Sequence, residues 1–342
     1  MNLIKNMKNN STFIIAEISA NHNNNLDTTI KTIKAIAKTG ADAVKIQTYT
    51  ADSLTLNVDN EFFGPRKDGL WKGLKPYDVF SEGALPYEWH EELKKVAEDL
   101  GLVFFSTPFD RNGVDLLESL NIQLYKIASF EITDIPLIKY VAEKGKPMII
   151  STGVAELSDI EMAVSTCRKA GNNDITLLKC TSEYQAPFEK ANLLTLPNLR
   201  ETFNVKIGIS DHTMGSTIPI LSIGLGATVI EKHFILDRKL GGPDASFSME
   251  PSEFEVMIKS VREAEAALGK INYEVSEDSK NRRRSIFVAK NIKKGESITE
   301  ENIRTVRPGH GLHPKYFNEI IGKKVNRDVN KGMPFKLEYL EN

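Results

Sequence analysis

Eight short apolar runs, most of them rich in β-branched residues, alternate with helical patterns over the first 235 residues. They are FIIAE (13–17), AVKIQ (43–47), LVFFS (102–106), LYKIA (124–128), PMIIS (147–151), ITLLK (175–179), VKIGI (205–209) and TVIEK (228–232). Most carry few polar interruptions, the pattern of strands buried on both faces of a parallel sheet. Apolar positions recur at helical spacing over 26–39, 87–100, 112–120, 134–145, 156–171, 190–203 and 215–226, with a long eighth stretch at 251–269. Gly40, Gly101, Gly145 and Gly171 follow these stretches, where a left-handed C-cap costs least, and Ser158 and Ser252 are candidates to start helices. Eight β and α elements alternating over about 255 residues have the size of a (β/α)8 TIM barrel. An open doubly wound sheet is the rival, but it calls for GxGxxG after the first strand, and Glu17 is followed by ISANHNNN.

The expected domains are a barrel at 1–269, a charged linker at 270–284 and a small β-rich domain at 285–342 with KKGE and NKGM turns. That tail is short for folding alone, so packing against a barrel or a second subunit is expected. An insertion at 48–86 separates the second strand from its helix, and a loop of that length usually walls or covers a site. Lys plus Arg total 44 against 46 acidic residues, a formal charge of −2 that excludes binding driven by nucleic-acid phosphates. The basic run Lys280–Arg284 reads as a solvated face. MNLIKNMKNN has no apolar segment and no apolar run is long enough to span a membrane, so a cytoplasmic protein is expected. Cys167 and Cys180 have no metal-type spacing and read as reduced packing thiols.

In a barrel of this kind the site lies at the C-terminal strand ends. Here those ends are polar: Glu17 with Asn21 and His22; Lys45 with Gln47; Ser106 and Thr107; Lys126 with Ser129 and Glu131; Ser151; Lys179 with Ser182 and Tyr184; Ser210, Asp211 and His212; Glu231, Lys232 and His233. His212 and His233, at the ends of neighbouring strands, can address one ion, or each can be a structural hydrogen-bonding residue. Lys45 and Lys126 with Thr107, Ser129, Ser151 and Ser210 suit a phosphate and a carboxylate, hence a small polyanionic substrate. Singly, each hydroxyl also fits a turn or a cap. A Schiff-base aldolase using Lys126 or Lys179 is the mechanistic rival, though it leaves both histidines unused. A non-catalytic sugar-binding protein is a third possibility, and it predicts an aromatic pocket without so many phosphate-type donors.

At IIAEISANH, KIQTYTADSLTLN, STPFD, YKIASFE, ISTG, KCTSEY, GISDHTMG, IEKHF and GGPDASFSMEPSEF the chain closely resembles the sialic acid synthase family. The resemblance runs from about residue 12 to the end, and FVAKNIKKGESITEENIRTVRPGHGL resembles the family's antifreeze-like, or SAF, domain. Within the family, KIQTYTADSLTLN, GLWKG and RTVRPGHGLHPKYF resemble the pseudaminic branch, with the legionaminic branch as rival. Where N-acetylneuraminate synthases carry C-T-N-x-Y this chain has Cys180-Thr181-Ser182-Glu183-Tyr184, which argues against N-acetylmannosamine as substrate.

The resemblance implies a metal-dependent condensation of phosphoenolpyruvate with an acetamido sugar, 2,4-diacetamido-2,4,6-trideoxy-L-altrose, giving a nine-carbon acid and phosphate. By the same resemblance His212 and His233 ligate a divalent ion, Mn2+ first and Mg2+ or Co2+ as alternatives. Lys45, Thr107, Lys126, Ser129, Ser151, Ser182 and Ser210 hold phosphoenolpyruvate. Glu17 and Glu231 are catalytic, and Gln47, Tyr184 and Asp244 face the sugar. Arg307 of the SAF domain reaches the sugar's acyl group in a partner barrel, so a domain-swapped homodimer is implied. His22 has no role assigned.

Overall fold

The computed structural model describes residues 11–69 and 72–341. MNLIKNMKNN and the Leu70-Trp71 pair of GLWKG, both used above, lie outside the described residues. The chain divides into two compact units, 1–269 and 270–342.

In the first unit eight parallel strands close a barrel in sequence order. They are β1 (Phe13–Glu17), β2 (Ala43–Thr48), β3 (Val103–Pro108), β4 (Tyr125–Ile127), β5 (Met148–Ser151), β6 (Ile175–Cys180), β7 (Lys206–Asp211) and β8 (Val229–His233). β8 pairs with β1, setting Ile15 beside Glu231 and Glu17 beside His233. The helices are α1 (Leu26–Thr39), α2 (Ala51–Leu54), α3 (Pro76–Gly83), α4 (His90–Asp99), α5 (Arg111–Ser119), α6 (Ile135–Ala142), α7 (Leu157–Lys169), α8 (Thr195–Phe203), α9 (Thr217–Gly224) and α10 (Pro251–Leu268). The short α2 and α3 belong to the insertion, and each of the others follows its strand. The barrel read from the sequence is the fold observed, and the doubly wound alternative is excluded by the closed strand order.

The period-two geometry of a strand sorts its side chains. Phe13, Ile15, Ala43, Phe105, Leu124, Ile149, Leu178 and Val229 form one buried cluster inside the barrel. Their neighbours in sequence, such as Ile14, Val44, Phe104, Ile150, Leu177 and Ile230, join the larger core beneath the helices. Further along the same inward-facing rows, at the C-terminal ends, apolar residues give way to Glu17, Lys45, Thr107, Lys126, Ser151, Ser210 and Glu231, all buried. Gly208 lies on an inward row where β7 and β8 approach closely, and a Cβ there would overlap the Val229 carbonyl.

Two helix starts differ from the expectation. α7 and α10 begin on Glu156 and Glu250, not on the serines that follow, and each closes a reciprocal capping box, with Asp159 and Glu253 respectively. A glutamate at the cap reaches the third amide of the helix as a serine would, which a search for Ser, Thr, Asp or Asn misses. The four glycines expected as helix terminators all have positive φ, from 69° to 88°.

In the second unit α11 (Glu277–Asn281) forms within the stretch read as linker, with Ser276 as its N-cap. Two basic residues of this stretch pair locally, Lys280 with Glu277 at 2.5 Å and Arg282, the C-cap, with Asp278 at 2.7 Å. β9 (Ser285–Val288) and β10 (Ile303–Val306) pair antiparallel, and α12 (Phe317–Ile320) follows. The unit has its own core of Ile286, Val288, Ile292, Ile298, Ile303, Ile320, Val325, Val329, Phe335 and Tyr339. Among the described residues no helix is long and apolar enough to cross a membrane.

Candidate active site

Four charged side chains interlock at the C-terminal end of the barrel interior. Lys45 Nζ lies 2.5 Å from Glu17 Oε2 and 3.7 Å from Glu231 Oε1, and Lys126 Nζ donates to the same Glu231 oxygen at 3.0 Å. Ser210 Oγ also donates to that oxygen at 3.3 Å, and Lys45 donates to Thr107 Oγ1 at 3.3 Å. Burying a charge is tolerable only when it is paired, and here two cations face two carboxylates. Burial disfavours ionised Glu231, but Lys126 and Lys45 outweigh it and hold the carboxyl below its usual range. Burial dominates at Glu17, and with Glu231 nearby its pKa is pushed up to about 7 despite Lys45. For Lys126 burial outweighs Glu231 and the pKa falls, whereas Glu17 and Glu231 outweigh burial at Lys45 and raise it.

The satisfied atoms are only part of the site. Glu17 sits at ion-pair distance from Lys45 but neither of its oxygens has a well-angled hydrogen bond, and Glu231 Oε2, Ser151 Oγ, Glu131 Oε2 and His233 Nδ1 are likewise buried without a hydrogen-bond partner. Buried polar atoms are rarely left alone, and these five residues sit at or just beyond strand ends of one barrel. Ser129, Ser182 and Cys180 gather round Gly153. The Gly153 amide donates to Ser129 Oγ at 3.1 Å, and a Cβ on Gly153 would overlap Ser182 Oγ and crowd Ser129 Oγ at 2.9 Å. Glycine is required there to leave the hydroxyls room.

His212 and His233 have ring centroids 5.2 Å apart. His212 Nδ1 donates to the Thr181 carbonyl at 3.0 Å, which leaves Nε2 with a free lone pair. Burial lowers the pKa of His233 well below that of an ordinary imidazole, and His212, Lys45 and Lys126 lower it further. The Asp244 carboxylate stands 3.9 Å from His233 Nδ1. Among the described residues no three His, Cys, Asp or Glu side chains suffice to hold a metal ion. Two imidazoles, one with an orphaned nitrogen, nevertheless fit a divalent cation whose remaining ligands are oxygens of substrate or water.

Above this floor opens a cavity of about 510 Å³, lined among others by Ser19, Gln47, Glu131, Tyr184, His233 and Asp244. Gln47 Nε2 donates to Ser19 Oγ at 2.9 Å, and the Ala20 amide donates to Asp244 at 3.2 Å. Tyr184 stacks edge-on to His212 with centroids 4.6 Å apart and lies 4.8 Å from the Phe247 ring.

The barrel carries Glu17, Lys45, Thr107, Lys126, Ser129, Ser151, Ser182, Ser210, His212, Glu231 and His233 at or just beyond the C-terminal ends of its strands, with Gln47, Tyr184 and Asp244 lining the cavity above. Arg307 belongs to the second unit, exposed at the end of β10 beside a turn held by Ser285, whose Oγ donates to the Pro308 carbonyl and accepts from the Gly311 amide. Other strand-end residues point elsewhere. Lys179 lies on the outward row and donates to the Cys180 carbonyl at 2.8 Å, and Lys232 pairs outward with Asp211 at 2.6 Å. Lys179 therefore cannot serve as a Schiff-base lysine inside the barrel. Ser106 also faces outward, against Thr48, which meets His90.

Cys167 and Cys180 are both buried free thiols, as expected. At Cys180 burial raises the thiol pKa, but His212 at 3.8 Å, with Ser129 and Ser182, brings it down to about 7. Glu131, named at its strand end but given no role, proves to be a half-buried carboxyl pushed up to about 7, chiefly by desolvation, with one buried, unpartnered oxygen. It sits in a 3-10 turn after β4, where no periodic signal marks it. His22 now has a place. Its Nδ1 accepts from the Asn24 amide at 3.0 Å, so Nε2 carries the proton and donates to the Gly83 carbonyl at 3.0 Å, tying the loop after β1 to the end of α3.

The chain matches the NeuB family over residues 32–273 and the SAF domain over residues 283–341. It is 45% identical over 332 residues to pseudaminic acid synthase of Helicobacter pylori, covering 96% of this chain and 97% of that one. Pseudaminic acid synthase of Campylobacter jejuni subsp. jejuni is 44% identical over 327 residues, 95% of each chain. The crystal structure of the N-acetylneuraminic acid (sialic acid) synthetase of Leptospira borgpetersenii serovar Hardjo-bovis, in complex with citrate, aligns with a TM-score of 0.70 at 32% identity, covering 79% of this chain and 89% of that one.

Proposed function

Because the chain belongs to the NeuB family, we propose that it condenses phosphoenolpyruvate with 2,4-diacetamido-2,4,6-trideoxy-L-altrose to give pseudaminic acid and phosphate. The enzyme is a transferase that forms a carbon–carbon bond. Two observations meet here: similarity to pseudaminic acid synthases along nearly the whole chain, and buried polar atoms without partners set round two buried lysines. The second carries the mechanism: the ammonium groups of Lys45 and Lys126 and the Ser151 hydroxyl can donate to a trianionic substrate, while the unpartnered oxygens of Glu17, Glu231 and Glu131 are acceptors for water or sugar hydroxyls. The barrel at 1–269 is the synthase domain, 270–284 the connector and 285–342 the SAF domain.

Lys45 and Lys126 hold the phosphate and carboxylate, with hydroxyls from Thr107, Ser129, Ser151, Ser182 and Ser210 fixing their orientation. His212 and His233 would hold a divalent ion, Mn2+ first and Mg2+ or Co2+ as alternatives, which when bound supplies Lewis acidity toward the sugar aldehyde. Carbon 3 of phosphoenolpyruvate bonds to the aldehyde carbon, and positive charge develops at carbon 2. Ionised Glu17, close to Lys45, stabilises that charge. Glu231 keeps both lysines charged and in place. Water adds at carbon 2 and gives up one proton, matching the proton taken up by the former aldehyde oxygen. The new hydroxyl then becomes the ketone as the carbon–oxygen bond to phosphate breaks, its proton leaving with phosphate while the lysines offset the leaving charge. Gln47, Tyr184 and Asp244 orient the sugar, and Arg307 of a partner subunit's SAF domain meets its acyl oxygen in a homodimer. Use of phosphoenolpyruvate places the reaction in the cytoplasm.

The test is product analysis by NMR with phosphoenolpyruvate, a divalent ion and two diacetamido sugars, the L-altro acceptor and the one leading to legionaminic acid. Pseudaminic acid from the first is expected, and preferential turnover of the second overturns the assignment. Oxygen-18 in the bridging position of phosphoenolpyruvate should leave in phosphate. A borohydride-trapped adduct on Lys126 would instead establish an aldolase.

A further inference from the structure

The cavity above the floor is two-sided in its chemistry. Polar groups that can meet a sugar, Gln47, Asp244 and Glu131, come from the barrel. The insertion and its first residues contribute both kinds of surface: Arg66 and Asp68 are charged, whereas Tyr49, Leu54, Val79 and Phe80, joined by Phe109 after β3, make an apolar stretch of wall. Tyr49 is the hub of this wall. Its ring meets Phe80 edge-on, 6.4 Å between centroids at 86°, and Phe109 at 5.3 Å and 72°.

The wall has a fixed position because α3, which carries Val79 and Phe80, is fixed at its end. His22 holds the Gly83 carbonyl at 3.0 Å, and a Cβ on Gly83 would stand 2.8 Å from the Tyr49 hydroxyl and 3.6 Å from Ala20 Cβ. Glycine at 83 thus lets the end of α3 seat directly on Tyr49 and the loop after β1. A short helix pinned in this way presents a surface of set shape rather than a loose cover.

Which part of a sugar meets this wall follows from polarity. The aldehyde end belongs at the histidines, so the chain's far end points toward the mouth. A hydroxyl placed against Tyr49, Phe80 and Phe109 rings would lose its hydrogen bonds to water without replacement, whereas a methyl loses nothing. We infer that Phe80 and Val79, on α3 of the insertion, together with Tyr49 and Phe109, form the subsite for the 6-methyl group of the acceptor, and that this wall selects 6-deoxy over 6-hydroxy sugars. The inference rests on the assignment of a diacetamido trideoxy sugar as the acceptor and adds the residues that read its deoxygenated end. An apolar wall discriminates against an added hydroxyl by about 100-fold at most, which bounds the effect.

The experiment compares the 6-deoxy acceptor with its 6-hydroxy counterpart in the full-length enzyme, its Phe80→Ala and its Phe80→Leu variants. The wild type should favour the deoxy sugar by about 10- to 100-fold in kcat/KM. Phe80→Ala should reduce that ratio about tenfold through the KM of the deoxy sugar, with the KM of phosphoenolpyruvate unchanged, and Phe80→Leu should retain most of it. Equal use of the two sugars by the wild type overturns the inference. So does a Phe80→Ala ratio that stays at the wild-type value, including the case in which both sugars lose efficiency alike, as a purely structural role predicts. Failure of the wild type to turn over either diacetamido sugar, with phosphoenolpyruvate still bound, overturns the underlying assignment, and the subsite with it.

Discussion

At the residue scale the most informative group is Glu17, because its role requires the charged form and burial opposes that form. Its pKa near 7 means the ionised fraction rises with pH across neutrality. The kcat/KM for phosphoenolpyruvate should therefore climb from pH 6 to 8 along a limb centred near 7 in the free enzyme. Glu131 sits at a similar value, so the assignment needs both variants: the limb should survive in Glu131→Gln and vanish from the residual activity of Glu17→Gln. The opposite pattern would transfer the role to Glu131. The histidine pair gives a second test. Exhaustive chelation should abolish turnover, and His212→Ala or His233→Ala should lower kcat at least about 100-fold, about 2.7 kcal/mol of barrier; full activity after chelation would remove the metal from the mechanism. Much of this constellation was legible in the sequence, since a barrel's chemistry lies at its C-terminal strand ends and those ends are polar here. Parity explains the failures. Lys126 and Lys179 look equivalent in YKIA and LLKC, yet one lies on the inward row and the other on the outward row, and only the register of neighbouring strands tells them apart. The approach of Cys180 to His212 joins residues of different strands and leaves no mark in either segment.

At the scale of elements the alternation of β and α was readable because a parallel strand covered on both faces must be apolar throughout, and even the three-residue β4 showed it. The insertion was readable as a length and by strings that resemble the family, but not by its structure. Its α3 owes its place to Gly83, His22 and Tyr49, which are distant in sequence. The junction between β2 and α4 makes a separate prediction. His90 opens α4, fully buried, with Nδ1–H donating to the Pro86 carbonyl at 3.2 Å and Nε2 accepting from the Thr48 hydroxyl at 2.8 Å. Burial pushes its pKa down to about 4. The unfolded chain takes up that proton near pH 6.5 and the folded one resists until about pH 4, so stability falls as pH drops through this window. The loss should reach about 3 kcal/mol at pH 4 in denaturant titrations. In His90→Gln the same titrations should show a flatter slope between pH 6.5 and 4; an unchanged slope would assign the acid sensitivity to other groups.

For the whole molecule the proposal of composite sites has a quantitative signature. Mixing inactive Arg307→Ala with inactive Glu17→Ala under subunit exchange should restore up to about a quarter of wild-type activity, since one barrel-tail pairing in four joins an intact Glu17 to an intact Arg307. No recovery despite demonstrated exchange would mean that each tail serves its own barrel, or that Arg307 does not meet the substrate. The SAF unit itself was legible as a small β-rich region, while the core that lets it stand as a compact unit, from Ile286 to Tyr339, is spread over residues with no strong periodicity. The seam between β1 and β8 bears on how the protein is made. Glu17 leaves the ribosome early and Lys45 and Lys126 follow, but Glu231, the carboxylate shared by both lysines, arrives only with the last strand. Until that strand docks, the nascent barrel holds more buried positive charge than negative and has an open edge beside β1, so the incomplete chain gains little from closing early. Closure and charge balance thus coincide: the residue that makes the ring electrically tolerable is on the strand that shuts it, and a chain released before Thr228 has neither a closed barrel nor a complete floor to its site.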